Sequence, residues 1–219
     1  MKHTFAAGVA GIAALLLAGT AMSGEAKIFE TKSAINNLST VMVDGGKARD
    51  LTVGLGSGAY RRPGDPANMF YAVSDRGPNF VCGDVETVLG VSEDAVCHGN
   101  KVRVYPTPDY SPSIYTIFLG DNGTFDIKDV ITIKDQNGIP LTGLTNKLTV
   151  AKTEKPVDAN GNALEQSVSS IDAEGIIRLT DGSYWIGEEN GPSVLHVAAD
   201  GTVIERLVPA GSEKDFEGA

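Results

Sequence analysis

The stretch Glu174–Val208, EGIIRLTDGSYWIGEENGPSVLHVAADGTVIERLV, decides the fold. Apolar runs alternate with Asp181-Gly182, Asn190-Gly191-Pro192 and Asp200-Gly201. Asp-Gly and Asn-Gly between apolar runs are the strongest short hairpin signals, because tight hairpin turns need positive φ. The stretch therefore predicts four consecutive antiparallel strands. Its second strand ends in two adjacent acids, Glu188 and Glu189, directly before a turn. They are either solvated turn residues or contributors to a shared site.

Outward from this stretch, the same grammar recurs. IYTIFLGDNGTFDIKDVITI, Ile114–Ile133, predicts two strands about an Asp-Asn-Gly turn. FYAVSDRGPN, Phe70–Asn79, aligns without gaps on YWIGEENGPS, Tyr184–Ser193, which sets Asp75 opposite Glu189 and Arg76 opposite Asn190. The AEG at Ala173–Gly175 recurs in FEGA at Phe216–Ala219, with Glu174 and Glu217 43 residues apart. Four-stranded units at a period of about 43 residues predict an all-β chain, a β-propeller of four-stranded antiparallel blades. Helical periodicity is almost absent after the N-terminus. Tyr184 and Trp185 are expected in core or inter-blade packing. The polar segment Thr142–Gln166 is expected to be a hairpin tip or an excursion between blades, and Asp158–Asn162 a plain turn. The sequence stops at EKDFEGA, within a motif, and supplies roughly four units at this period, so we expect an incomplete propeller, the N-terminal part of a longer protein.

Composition narrows the function. The chain has 219 residues, 42% hydrophobic and 21% charged, and a formal net charge of −10. That balance suits one domain with a sizeable core and excludes nucleic acid and anionic membrane surfaces as partners, since both need basic patches. Lys2 and His3, an apolar run from Phe5 to Ala18, and small residues at Gly19, Ala21 and Ser23 predict a cleaved signal peptide over 1–23, a lead-in over 24–37 and a periplasmic or secreted protein with no membrane contact after cleavage. In an oxidising compartment Cys82 and Cys97 are expected to form a disulfide; a metal site built on Cys97 and His98 would have too few ligands.

No Gly-x-Ser-x-Gly elbow or paired-histidine metal motif occurs, and Gly54–Gly58 matches neither an elbow nor a dinucleotide loop. His98 and His196 stand alone, which favours packed or surface histidines over a triad. The informative group is acidic: Asp75, Glu174, Glu188, Glu189 and Glu217 all fall at strand starts or ends. In a propeller such ends converge near the axis, where carboxylates repel one another unless they hold a hard cation or raise each other's pKa. Calcium suits oxygen-only ligands from several loops and can polarise a bound phosphoester. Arg76 adds donors for an anionic group, or simply pairs with Asp75.

The stretches FYAVSDRGPNF (Phe70–Phe80), Asp172–Gly211 and DFEGA (Asp215–Ala219) resemble, in order, the motifs of the phytase-like family, a family of exported propellers described as esterase-like activity of phytase. The resemblance implies a propeller domain over 38–219 and a metal-dependent phosphoester hydrolase. On matching positions it points to Asp75, Arg76 and Glu189 as the catalytic set and to Asp75, Glu174, Glu188, Glu189 and Glu217 as calcium ligands, with a small phosphorylated molecule as substrate. Here Glu188 stands where the family more often has Asp, which shifts a ligand by one methylene. The family's Gly-Leu pair before the first motif is Gly54-Leu55. Two other functions fit the same pattern: a ligand-binding or scaffold propeller without turnover, and a hydrolase of carboxylesters or lactones.

Overall fold

The structure, a computed structural model, describes residues 26–43, 45–149 and 153–218; the signal peptide expected over 1–23 lies outside them. The chain is all-β. It begins with a hairpin of β1 (Asn37–Val41) and β2 (Arg49–Thr52). A first large sheet follows, from β3 (Leu55–Tyr60) and β4 (Met69–Ser74). The chain then leaves this sheet through β5 (Phe80–Val81), two short helices, α1 (Val85–Leu89) and α2 (Glu93–Cys97), and β6 (Arg103–Val104). It returns with β7 (Ser113–Leu119) and β8 (Phe125–Thr132), giving an antiparallel sheet in the order β3-β4-β7-β8. After β9 (Pro156–Val157), a second antiparallel sheet forms from β10 (Ala173–Arg178), β11 (Tyr184–Glu188), β12 (Ser193–Val197) and β13 (Val203–Leu207), in sequence order.

The second sheet is the four-stranded unit that its turn signals demand. Gly182 and Gly201 take φ of +92° and +91°, and Asp181 and Asp200 each accept the backbone N–H two residues on, at 3.0 Å. An Asp side chain closing its own turn in front of a positive-φ glycine is the physical content of the Asp-Gly signal. The turn at Gly201 also joins the two sheets. Lys134 N–H donates to Gly201 O at 2.9 Å, and Val203 N–H donates to Lys134 O at 2.8 Å.

The repeat found in the sequence is structural. Phe70–Ser74 lies in β4 and Tyr184–Glu188 in β11, each the second strand of its sheet, and Asp75 and Glu189 are each the first residue beyond. Tyr71, Val73 and Ile114 of the first sheet share one buried cluster with Ile176, Tyr184, Ile186, Leu195 and Val197 of the second. The first strands of the two sheets pack together at Gly58, where a Cβ would stand 2.8 Å from Gly175 Cα. Two glycines there let backbone meet backbone.

The excursions between the sheets are ordered, and here the sequence said least. The described residues of the segment 142–166 do not make a hairpin tip: β9 pairs parallel with β6, which pairs antiparallel with β5. The Asp158 turn is plain, its carboxylate accepting Asn160 and Asn162 N–H at 2.8 and 2.9 Å. Helices α1 and α2 are five residues each, too short to show periodicity in sequence. Cys82 and Cys97 form the expected disulfide around them, within a buried cluster of Val85, Leu89, Val96, Val104 and Val157. Closing a loop of about 15 residues contributes about 3 kcal/mol by restricting the unfolded chain. Urea unfolding with and without reductant should therefore differ by about that amount.

Candidate functional site

The site forms where the end of β4 meets the start of β10. At the end of β4, the buried Ser74 hydroxyl accepts Tyr110 O–H at 2.6 Å and Ser113 N–H at 3.0 Å, which fixes the direction in which the chain leaves the sheet. Asp75 follows, and its carboxylate accepts Arg76 N–H. Gly77 has φ +88°, and the Tyr110 ring occupies the place of its missing side chain. Gly143 lies so close to Arg76 that a Cβ there would come within 1.9 Å of Arg76 O. This loop is thus held by backbone packing as well as by side chains.

On the other side, Asp172 directly precedes β10. Its N–H donates to Glu188 Oε1 at 3.3 Å, and its C=O accepts Glu189 N–H at 3.1 Å. The register between β10 and β11 slips between Ala173 and Gly175, leaving Glu174 as an extra residue in a bulge. A bulged residue loses its ladder partner and its side chain is re-aimed. Glu174 is exposed, whereas Asp172, two residues earlier, is only 4% exposed.

One carboxylate oxygen from each of Asp75, Asp172 and Glu174 can be chosen so that all three lie within 4.8 Å of one another. Arg76 Nε stands 3.3 Å from Asp172 Oδ2, the one ion pair reaching into this group among the described residues. The crowding shows in the protonation of the acids. Burial first, then the hydrogen bond shared with Asp75, push the Asp172 carboxyl up to about 8; Arg76 opposes this, and the Asp75 and Glu174 charges add to it. Glu174 is raised too, chiefly by its partial burial, with the charges of Glu189 and Asp75 adding and Arg76 opposing. Such a group holds either a proton or a cation. An all-oxygen set of ionisable carboxylates is the donor chemistry of a hard divalent ion, so the residues fit calcium.

The sequence-derived acids divide. Asp75, Glu174 and Arg76 come together. Glu189 is exposed and outside the three-carboxylate group, though its charge acts on Glu174. Glu188 is buried and turned to the protein: its oxygens accept Gly191 N–H at 2.8 and 3.0 Å, Asp172 N–H, and Ser193 O–H at 3.3 Å. It fastens the turn and positions Asp172. Glu217 is exposed after a 3-10 turn at Glu213–Phe216 and is not in the group. His196 stacks on Trp185 at 4.5 Å and meets the buried Ser183 hydroxyl at 3.0 Å, a local turn contact rather than a nucleophile pair.

Asp172 is the member that motif reading missed. A signal existed: Asp172-Ala-Glu174-Gly175 parallels Asp215-Phe-Glu217-Gly218, so the repeat begins one acid earlier than AEG. Asp215 is likewise buried, with one oxygen accepting Thr149 N–H at 3.0 Å.

Comparison with known proteins follows the same residues. The sequence model of the phytase-like family, described as esterase-like activity of phytase, matches residues 52–217. An uncharacterized secreted protein of Arthroderma benhamiae is 24% identical over 178 residues, covering 75% of this chain and 32% of that protein. The chain thus spans about a third of that relative's length. No solved structure matches.

Proposed function

The chain belongs to the phytase-like family, and from that membership we propose that it is an exported hydrolase that cleaves a phosphoester at Asp75, Asp172 and Glu174 with calcium bound between them. Three carboxylates from two separate sheets, meeting within 4.8 Å, are the observation that supports this most. Asp75, Asp172 and Glu174 would hold the ion, which supplies Lewis-acid polarisation of the phosphoryl group when bound. Arg76 holds Asp172 in place through its Nε and opposes the rise of its pKa. Glu189, exposed near Glu174, takes the proton of an attacking water whose oxygen bonds to phosphorus as the P–O ester bond breaks, and the departing alkoxide takes its proton from solvent. Glu188 keeps the turn that carries Glu189 rigid through its bond to Gly191 N–H. We read the two four-stranded sheets as propeller blades; the side-by-side first strands at Gly58 and Gly175 and the equivalent strand ends support it. The secreted relative and the expected signal over 1–23 support export.

Two measurements test the centre. Asp172 carries a proton at pH 7 in the metal-free protein, because its pKa is raised to about 8, and calcium needs the carboxylate. Binding should therefore release about one proton at pH 7 and tighten from pH 6 to pH 8. Calorimetry in buffers of different ionisation enthalpy reads this directly; binding with no proton released removes Asp172 from the centre. Phosphoester turnover should require calcium and stop with chelator, and chelator-insensitive turnover removes the ion from the reaction.

A further inference from the structure

Pairing register sets two rows of residues on one face of the first sheet. Gly58, Val73, Ile114 and Ile131 cross β3-β4-β7-β8 in one row, and Tyr60, Tyr71, Thr116 and Asp129 in the other. That face packs on the second sheet. Tyr71, Val73 and Ile114 enter the shared buried cluster, Tyr60 and Ile131 lie against it, and Gly58 meets the backbone of Gly175. The alignment of Phe70–Asn79 on Tyr184–Ser193 sets Tyr71 on Trp185 and Val73 on Gly187. Carried across the second sheet by its own register, the rows become Gly175, Gly187, Val194 and Leu207, and Ile177, Trp185, His196 and Glu205. Position for position, this is the face by which the first sheet docks on the second, down to an acid, Asp129 or Glu205, on the fourth strand.

On the second sheet the same face is bare. Its alternate residues Ile176, Tyr184, Ile186, Leu195 and Val197 point to the first sheet, so these rows point away from it. Ile177, Val194 and Leu207 are 44%, 41% and 48% exposed. A Cβ built on Gly175 or Gly187 meets nothing within 4 Å, and neither glycine has a positive φ that would require it. A glycine inside a strand costs stability and marks the close approach of another backbone. At Gly58 that backbone is Gly175; at Gly175 and Gly187 no described residue supplies it on the outer side. The residues that open β10, Asp172-Ala-Glu174-Gly175, recur as Asp215-Phe-Glu217-Gly218, and Asp172 and Asp215 are alike buried, at 4% and 3% exposed. The Arthroderma benhamiae relative, of which this chain covers 32%, has the length for further sheets.

We infer that the outer face of the second sheet is a docking face for a further four-stranded antiparallel sheet of the same polypeptide, entered at Asp215–Gly218. The first strand of that sheet lays its backbone on Gly175 as β10 lays its own on Gly58, and its apolar side chains cover Ile177, Val194 and Leu207. Removing these side chains from water drives the docking, and the two glycines set how closely the strands approach. The inference stands on the register of the two sheets and is independent of the hydrolase proposed above.

The test uses the exported protein at its full length. Val194→Cys should react with a water-soluble maleimide at least about 100-fold more slowly than Ile139→Cys, a control at a side chain that is 62% exposed in the turn beyond β8. Gly175→Val should lower the melting temperature by about 5 °C or more, because the branched side chain enters the interface. On a bare face the same change would hold or raise it, since valine suits a strand better than glycine. Sedimentation should give a monomer. Labelling of Val194→Cys as fast as Ile139→Cys overturns the docking, and so does a Gly175→Val protein at least as stable as wild type. Slow labelling that speeds up on dilution, in a protein that sediments as a dimer, gives the face to a second copy and overturns the assignment to the same polypeptide. Where Gly175→Val fails to fold, the labelling ratio decides.

Discussion

Asp172→Asn should lower calcium affinity by on the order of 100-fold, the largest loss of any single acid in the chain. The change keeps shape and removes one negative ligand, and it also leaves Arg76 without its charged partner at 3.3 Å. Asp75→Asn should follow closely. Glu174→Gln should lose about 10-fold, because an exposed carboxylate is partly replaced by water. Glu188→Gln should leave calcium affinity within a few-fold but cost about 1–3 kcal/mol of stability, since it puts an amide NH₂ where Gly191 N–H and Asp172 N–H need an acceptor. Glu217→Gln should change neither. Calorimetric calcium titration of the five variants gives the ranking; equal losses at Asp172 and Glu217 would falsify the centre. The metal-free protein carries a further mark. Asp172 is raised in the folded state, so its stabilising contribution is full below pH 4 and is lost as pH rises through about 8. Wild type should become less stable from pH 5 to pH 9, and Asp172→Asn should lack most of that slope.

Gly143→Ala should be the most destabilising single-methyl addition, costing about 3 kcal/mol or more. Its Cβ would stand 1.9 Å from Arg76 O, and both partners are backbone, so no rotamer change relieves the clash. For a chain of this length that is a fall of about 6–12 °C in melting temperature. The strain falls on the residue that pairs with Asp172, so calcium affinity should drop as well. Gly54→Ala is the control: nothing lies within 4 Å of its added Cβ, and its φ is not in the left-handed region. A Gly143→Ala protein as stable as Gly54→Ala would mean that the loop carrying Arg76 is loosely held.

Sequence alone determined the strand order of the second sheet, the β7–β8 hairpin, the equivalence of Asp75 and Glu189, and the disulfide. These follow from local rules: an Asp that caps its own turn before a positive-φ glycine, between two apolar runs, favours a hairpin, and two cysteines are expected to pair in an oxidising compartment. Only the tertiary structure decided which acids meet. Glu188 and Glu189 are neighbours in sequence, yet Glu188 ends β11 turned inward, where it accepts Gly191 N–H, and Glu189, the first residue beyond the strand, is exposed to solvent. Asp172 precedes β10, and only the packing of β10 against β3 and β4 sets it beside Arg76. A bulge and a parallel pairing such as β6 with β9 depend on partners 12 to 53 residues away in sequence, and no local pattern records them.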